Sequence, residues 1–323
     1  MAPSTSARKA SDRGRMSGVR SRLRIGATLF RPKARISGSS ATKWKKIAAD
    51  WEKITVPLFT VGNWSGFAMH LRGNTEAYMN AASKNKKLRI HTGTHFHPFH
   101  SEEGRMDQLR WFDHWLKGID TGLMEEPPVK LEIRTGGSTE RYPFRSENEW
   151  PLARTQWTTW HLHGRTSQLL TVPAQSASTV AFEAMGDGAS FISPPFENAT
   201  EITGPIAARL FVSSSTADAD LFVIFRVYTP DLREITFMGA IDPHTPIAQG
   251  WLRASHRKLD VKLSAAHRPY HTHDEKQPLK PGEIAQLDIE LWPTSIVVPA
   301  RHRIAITVRG RDYEYAKSTG ARL

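Results

Sequence analysis

Gln286-Leu-Asp-Ile-Glu-Leu291 and Arg303-Ile-Ala-Ile-Thr-Val308 alternate apolar with polar residues. Successive side chains of an extended chain point to opposite faces, so a period of two marks a strand buried on one side. Working outward, short β-rich runs recur at Val129 to Ile133, Trp157 to Leu162, Ala207 to Ser213, Leu221 to Tyr228 and Ile284 to Trp292. Gly, Pro, Asp and Ser break the chain between them, and no helical period intervenes. Many short strands without helices predict an antiparallel sandwich, specifically a jelly roll, over residues 126–323.

The texture changes at Glu125-Glu-Pro-Pro128. Upstream, residues 42–125 read as alternating helix and strand. Ala41 to Trp51 and Met69 to Ser83 suit helices, whereas Val56 to Gly62 and Leu88 to His91 suit buried parallel strands. From Gly104 to Lys117, Met106, Leu109, Phe112 and Leu116 recur at helical spacing, and Gly118 supplies a C-terminal stop. The layering is α/β. No internal repeat is present.

The 323 residues carry a net charge of +12, 39% hydrophobic residues, ten Trp and no Cys. A core of some size is affordable, and thiolate chemistry and disulfides are excluded. Before residue 40, ten Lys and Arg face a single acid, Asp12. Residues 1–41 are therefore expected to be a basic, disordered tail. A nucleic-acid partner is not expected, and neither is a membrane, because no apolar run approaches the roughly 18 residues a span requires. A cytoplasmic location is the expectation.

Several blocks together resemble one family. Thr200-Glu-Ile-Thr-Gly-Pro-Ile-Ala-Ala-Arg-Leu-Phe-Val-Ser-Ser-Ser215, Asp218-Ala-Asp-Leu-Phe-Val223, Pro230-Asp231 and Gly250-Trp-Leu-Arg-Ala-Ser-His-Arg257 are similar to the C-terminal domain of the cocaine-esterase and Xaa-Pro dipeptidyl-peptidase serine hydrolases. So are Leu279-Lys-Pro-Gly-Glu283, Trp292-Pro-Thr-Ser295 and His302-Arg303, although Ala300 stands where that family usually shows Gly. Gly62-Asn-Trp-Ser-Gly66, His70-Leu-Arg-Gly-Asn74, Phe112-Asp-His-Trp-Leu-Lys-Gly118 and the junction from Asn148 to Trp157 resemble the family's last hydrolase strands and helices. The resemblance implies the C-terminal remnant of an α/β-hydrolase domain followed by a jelly-roll β-sandwich. It also implies a small ester, amide or peptide as the substrate class.

An α/β-hydrolase exposes its serine on a G-x-S-x-G elbow, with the triad in the order Ser, acid, His. The sequence contains no G-x-S-x-G. Ser65 lies between Trp64 and Gly66, and Ser213 to Ser215 belong to a predicted sandwich strand, so neither has the elbow's context. The resemblance puts the general base at His95, with His91 as the alternative, because an imidazole titrating near 6.5 suits proton transfer from a serine. The family's acid position aligns with Ser65 or Gly66, neither of which is anionic. Glu76 and Asp107 are within reach by sequence but read as solvated helix-face carboxylates.

His91, His95, His97 and His100, with Glu102 and Glu103, match no ligand spacing of a helix or zinc loop, so neither metal nor cofactor is expected. Trp111, Trp115, Trp150 and Trp157 are expected to pack the core and the domain boundary. The chain is thus expected to be a serine-hydrolase C-terminal portion without a nucleophile, inactive alone. The alternative is a non-catalytic jelly-roll module binding carbohydrate or protein. The Val56 to Gly62 strand should leave an open apolar edge, a route to poor solubility or to oligomers.

Overall fold

The computed structural model describes residues 15–25, 49–67, 69–136, 142–240 and 242–315. In chain order the strands are β1 (Arg15–Ile25), β2 (Leu58–Asn63), β3 (Lys86–His91), β4 (Val129–Glu132), β5 (Arg134–Thr135), β6 (Phe144–Glu147), β7 (Thr158–His163) and β8 (Gln168–Leu170). They continue with β9 (Ala181–Glu183), β10 (Ala189–Ile192), β11 (Thr200–Ser214), β12 (Asp220–Tyr228), β13 (Glu234–Ile235), β14 (Ala248–Arg253), β15 (Ala285–Val298) and β16 (Arg303–Arg309). The two longer helices are α1 (Leu71–Asn80) and α2 (Glu102–Lys117).

Two sheets result. The smaller runs β2-β3-β4-β6, with β2, β3 and β4 parallel and β6 antiparallel to β4. The sequence reading grouped β4 with the β-rich half, but it pairs with β3, so the small sheet extends to Glu147. Strand propensity cannot say which sheet a strand will join. The core of this half is Trp64, Leu71, Leu88, Ile90, Leu131 and Trp150.

The larger sheet runs β11-β1-β7-β8-β10-β16-β12-β14-β15, and pairing of β11 with β15 closes the path. Its pairings are mostly antiparallel, with parallel contacts only at β8–β10 and β5–β15 among the described residues. Inward-facing residues of the quoted alternations, Leu287, Ile289, Leu291, Ile304, Ile306 and Val308, are all buried. The β-rich architecture expected for the C-terminal part is therefore observed, beginning after Glu147 rather than at residue 126 apart from the short β5.

Residues 15–25, read from composition as part of a disordered tail, form β1. This strand pairs antiparallel with β11 from Met16↔Ser214 to Ile25↔Ile206. The charge excess hides an alternation, Val19, Ser21, Leu23, Ile25 against Arg20, Arg22, Arg24, which is strand-like in period. The remainder of the 1–41 tail and most of the helix expected at Ala41 to Trp51 lie outside the described residues. Of the latter only residues 49–51 are described; 49 and 50 are not helical, and Trp51 opens a 3-10 turn, Trp51–Lys53.

Helix α2 begins where Ser101 accepts a hydrogen bond from the Gly104 amide (3.1 Å), with Glu102 and Glu103 in the positive first turn. It stops at Gly118, whose φ of 68° needs no Cβ penalty. Its buried face is Gly104, Asp107 and Trp111. The stripe that suggested the helix points elsewhere: Phe112 is 53% exposed and Leu116 76%, and Met106 and Leu109 are exposed too. Among the described residues no helix is long and apolar enough to cross a membrane.

Candidate functional site

The C-terminal ends of β2, β3 and β4 feed three adjacent loops, and side chains tie these loops together. Asn63, fully buried at the end of β2, donates from Nδ2 to the Gly93 carbonyl (2.6 Å) and accepts from the Ser65 amide (2.8 Å). Trp64 donates from Nε1 to the Glu132 carbonyl (2.8 Å), and the Thr92 amide donates to the Glu132 carboxylate (2.8 Å). Each bond satisfies a polar group sealed from water, so losing one costs more than making it gains. The loop from Thr92 to His95 is thereby held against the end of β2.

His95 sits at the tip of this cradle. Its amide donates to the Ala240 carbonyl (3.2 Å), in a turn of the β-rich half between Phe237 and Thr245. His70, just before α1, stacks on the His95 ring at 4.8 Å between centroids, and Phe96 meets it edge-on at 5.6 Å. His95 Nδ1 is buried with no hydrogen-bond partner among the described residues. In a Ser-His-Asp triad the corresponding nitrogen of the histidine donates a hydrogen bond to the carboxylate.

His91 occupies a different environment. It is the buried last residue of β3, and its Nδ1 donates to the Thr92 carbonyl (3.0 Å). Burial, only partly opposed by that hydrogen bond, pushes its basicity down to about 4. The ring is neutral at physiological pH, with its Nδ1 proton committed to the backbone. Ser65 is also buried, and its Oγ has no partner among the described residues.

The two carboxylates read as solvated are not solvated. Asp107 is buried under α2 and hydrogen-bonded to Arg89 Nη1, while Glu103 holds Arg89 Nη2 at 2.8 Å. Glu76 is buried on α1 and ion-paired with Arg268 of the β-rich half. Both face packed surfaces, where a carboxylate survives only beside a cation. Their arginines account for them, and neither contacts His95.

His100 lies exposed on the helical turn His97–His100, and no three His, Asp or Glu side chains among the described residues gather to hold a metal. Trp111 and Trp150 pack as expected, against Phe59 and Trp64 respectively. Trp157 departs from that expectation. It is 44% exposed and stacks on His267 at 4.1 Å.

A cavity of about 310 Å³ opens between β2, the helical turn and α2, lined by Phe59, Val61, Phe99, Trp111, Phe112 and the Arg89–Asp107 pair. β2 is the terminal strand of the small sheet, so its outer edge has no strand partner among the described residues.

These features define an α/β layer whose loop ends abut a β-rich domain, with an imidazole at their meeting point. Residues 121–322 match the family model described as the X-Pro dipeptidyl-peptidase C-terminal non-catalytic domain. The chain belongs to that family. It is similar to a serine esterase of Mycobacterium bovis, 28% identical over 247 residues, covering 63% of this chain and 35% of that protein. It is also similar to the cocaine esterase of a Rhodococcus species, 24% identical over 241 residues, covering 63% of this chain and 37% of that protein. Among solved structures, a CocE/NonD family hydrolase of Staphylococcus aureus superposes with a TM-score of 0.81 at 27% identity, over 87% of this chain and 51% of that one. The chain thus spans about a third of the length of these curated relatives and about half of the solved one.

Proposed function

We propose that this chain is the C-terminal part of a CocE/NonD-type serine hydrolase, in which His95 occupies the general-base position. The carrying observation is the cradle itself. A loop histidine follows a parallel strand, is fixed by Asn63 and Glu132 through the loop backbone, and presents a buried Nδ1 that meets no hydrogen-bond partner among the described residues. His91 suits the role less, since its ring is buried in the sheet and barely basic.

On this reading β2, β3 and β4 are the last parallel strands of an α/β-hydrolase sheet, and the β-rich half is its jelly roll. A nucleophile-bearing strand would pair with the open edge of β2, and a covering helix would take the apolar face of α2 at Phe112 and Leu116. Two observations support this: those apolar side chains are exposed, and sheets seldom leave such an edge open. With no G-x-S-x-G in its sequence, the chain alone is proposed to be inactive. The substrate class would be small esters, amides or N-terminal dipeptides, by analogy with related proteins named as esterases and a dipeptidyl-peptidase.

A fluorophosphonate probe reacts only with an activated serine. The chain alone should remain unlabelled; labelling that disappears on His95→Ala would overturn the proposed inactivity. Co-expression with the nucleophile-bearing half of a CocE/NonD hydrolase should restore labelling that depends on His95.

A second reading has one observation in its favour: the matching family model is itself described as non-catalytic. A purely binding module would show saturable carbohydrate or protein binding, and no complementation with any nucleophile-bearing partner.

A further inference from the structure

Away from His95, the loop after β14 brings three histidines together that none of the chemistry above employs. His256 and His273 face each other through Nδ1 at 3.1 Å, with ring centroids 5.3 Å apart. The His271 ring lies 5.9 Å from that of His273, and its Nε2 is buried without a hydrogen-bond partner among the described residues.

The backbone around this pair is held firmly. Asp218 accepts from the Ser255 amide (2.9 Å) and hydroxyl (2.6 Å), fixing the 3-10 turn Ala254–His256. On the other side, the Thr272 amide donates to the Lys258 carbonyl (3.0 Å), and His271 bridges to Leu259. Lys258 also holds the Asp274 carboxylate at 3.2 Å. His273 itself adopts φ of 50°, in the left-handed region that few residues other than Gly occupy.

At this separation the two nitrogens either share one proton in an N–H···N hydrogen bond or, both unprotonated and converging on a point beside the N–N line, hold one cation. Nitrogens bound at about 2.0–2.1 Å to one ion, and separated as these are, subtend roughly 95–102° at it. That angle lies between cis square-planar and tetrahedral. We propose that His256 and His273 form a two-imidazole chelate for a late first-row divalent metal ion, with water completing the coordination. Nitrogen donors suit Cu(II), Ni(II) and Zn(II), and Cu(II) heads the general affinity order. His273 is exposed, which leaves access for the ion. This site does not depend on the hydrolase reading.

The test titrates the full chain with CuSO4, NiSO4 or ZnSO4 alone, followed by calorimetry and Cu(II) electron paramagnetic resonance. One equivalent of Cu(II) should bind with equatorial nitrogen couplings. His256→Gln and His273→Gln should each weaken binding at least tenfold, and His100→Gln should leave it unchanged. His256→Gln keeps the test open should His273→Gln disturb its loop, and circular dichroism checks the fold of each variant. Absence of binding, binding indifferent to both substitutions, or binding lost on His100→Gln would overturn the proposal.

Discussion

Glu76 of α1 is ion-paired with Arg268 of the β-rich half, and both side chains are almost wholly buried. Arg268 Nε also reaches Glu290 at 3.4 Å, and Arg72 Nε holds the same carboxylate at 3.0 Å. Two acids and two bases thus fasten α1, and with it the small sheet, to β15. Removing one partner strands a buried charge, so Glu76→Ala or Arg268→Ala should cost about 3–5 kcal/mol in urea denaturation. A loss below 1 kcal/mol in both variants would mean that the network is solvated in solution.

Burial pushes the Glu76 carboxyl up to about 7, against the opposing pull of Arg268 and Arg72. A carboxyl whose folded value exceeds its unfolded value near 4.5 binds its proton more tightly in the native state. Its contribution is complete below pH 4.5 and lost as the pH rises through 7. The native chain should therefore lose stability between pH 5 and 8, on the order of 2 kcal/mol, relative to Glu76→Gln. Parallel stability curves for the two proteins would refute this.

His91 has the opposite slope. Its folded basicity, lowered to about 4 by burial, means that the unfolded chain takes up the proton first as the pH falls. Stability should decline from about pH 6.5 towards pH 4, and the imidazole should remain neutral by NMR down to pH 5. Observation of His91 titrating near 6.5 would show that the β3 end is open to water.

Gly104 gives a sharper structural test. A Cβ there would lie 2.0 Å from the Pro98 carbonyl oxygen, a backbone atom that cannot rotate away. Gly104→Ala should separate the helical turn from α2 and cost more than about 2 kcal/mol, although alanine favours helix. An unchanged melting temperature would contradict the packing of this turn.

The exposed face of α2 predicts self-association. Phe112→Glu with Leu116→Lys should raise the monomer fraction in sedimentation while leaving the urea midpoint within about 0.5 kcal/mol, since neither side chain is buried. If association persists unaltered, the contact lies elsewhere, with the outer edge of β2 the next surface to probe.

Much of the architecture is legible in the sequence. The alternation at Gln286 to Leu291 announced a half-buried strand, and Gly118 marked the end of α2, because these signals act over a few residues. The three loop ends around His95 were legible only as positions in sequence. Asn63 reaches Gly93 across 30 residues, and the turn at Ala240 meets His95 from the other half of the chain.

The sequence by itself determined the periodicities, the boundary in texture near residue 126, the lack of a serine elbow and the family resemblance. Tertiary structure alone decided that Glu76 and Asp107 are sealed into ion pairs, that the apolar stripe of α2 faces outward, that Arg15–Ile25 joins a sheet, and that His256 meets His273. The physical reason is range. Hydrogen-bond period and capping are set by neighbours along the chain, whereas burial and charge pairing depend on which distant surface arrives opposite, and no local pattern encodes that.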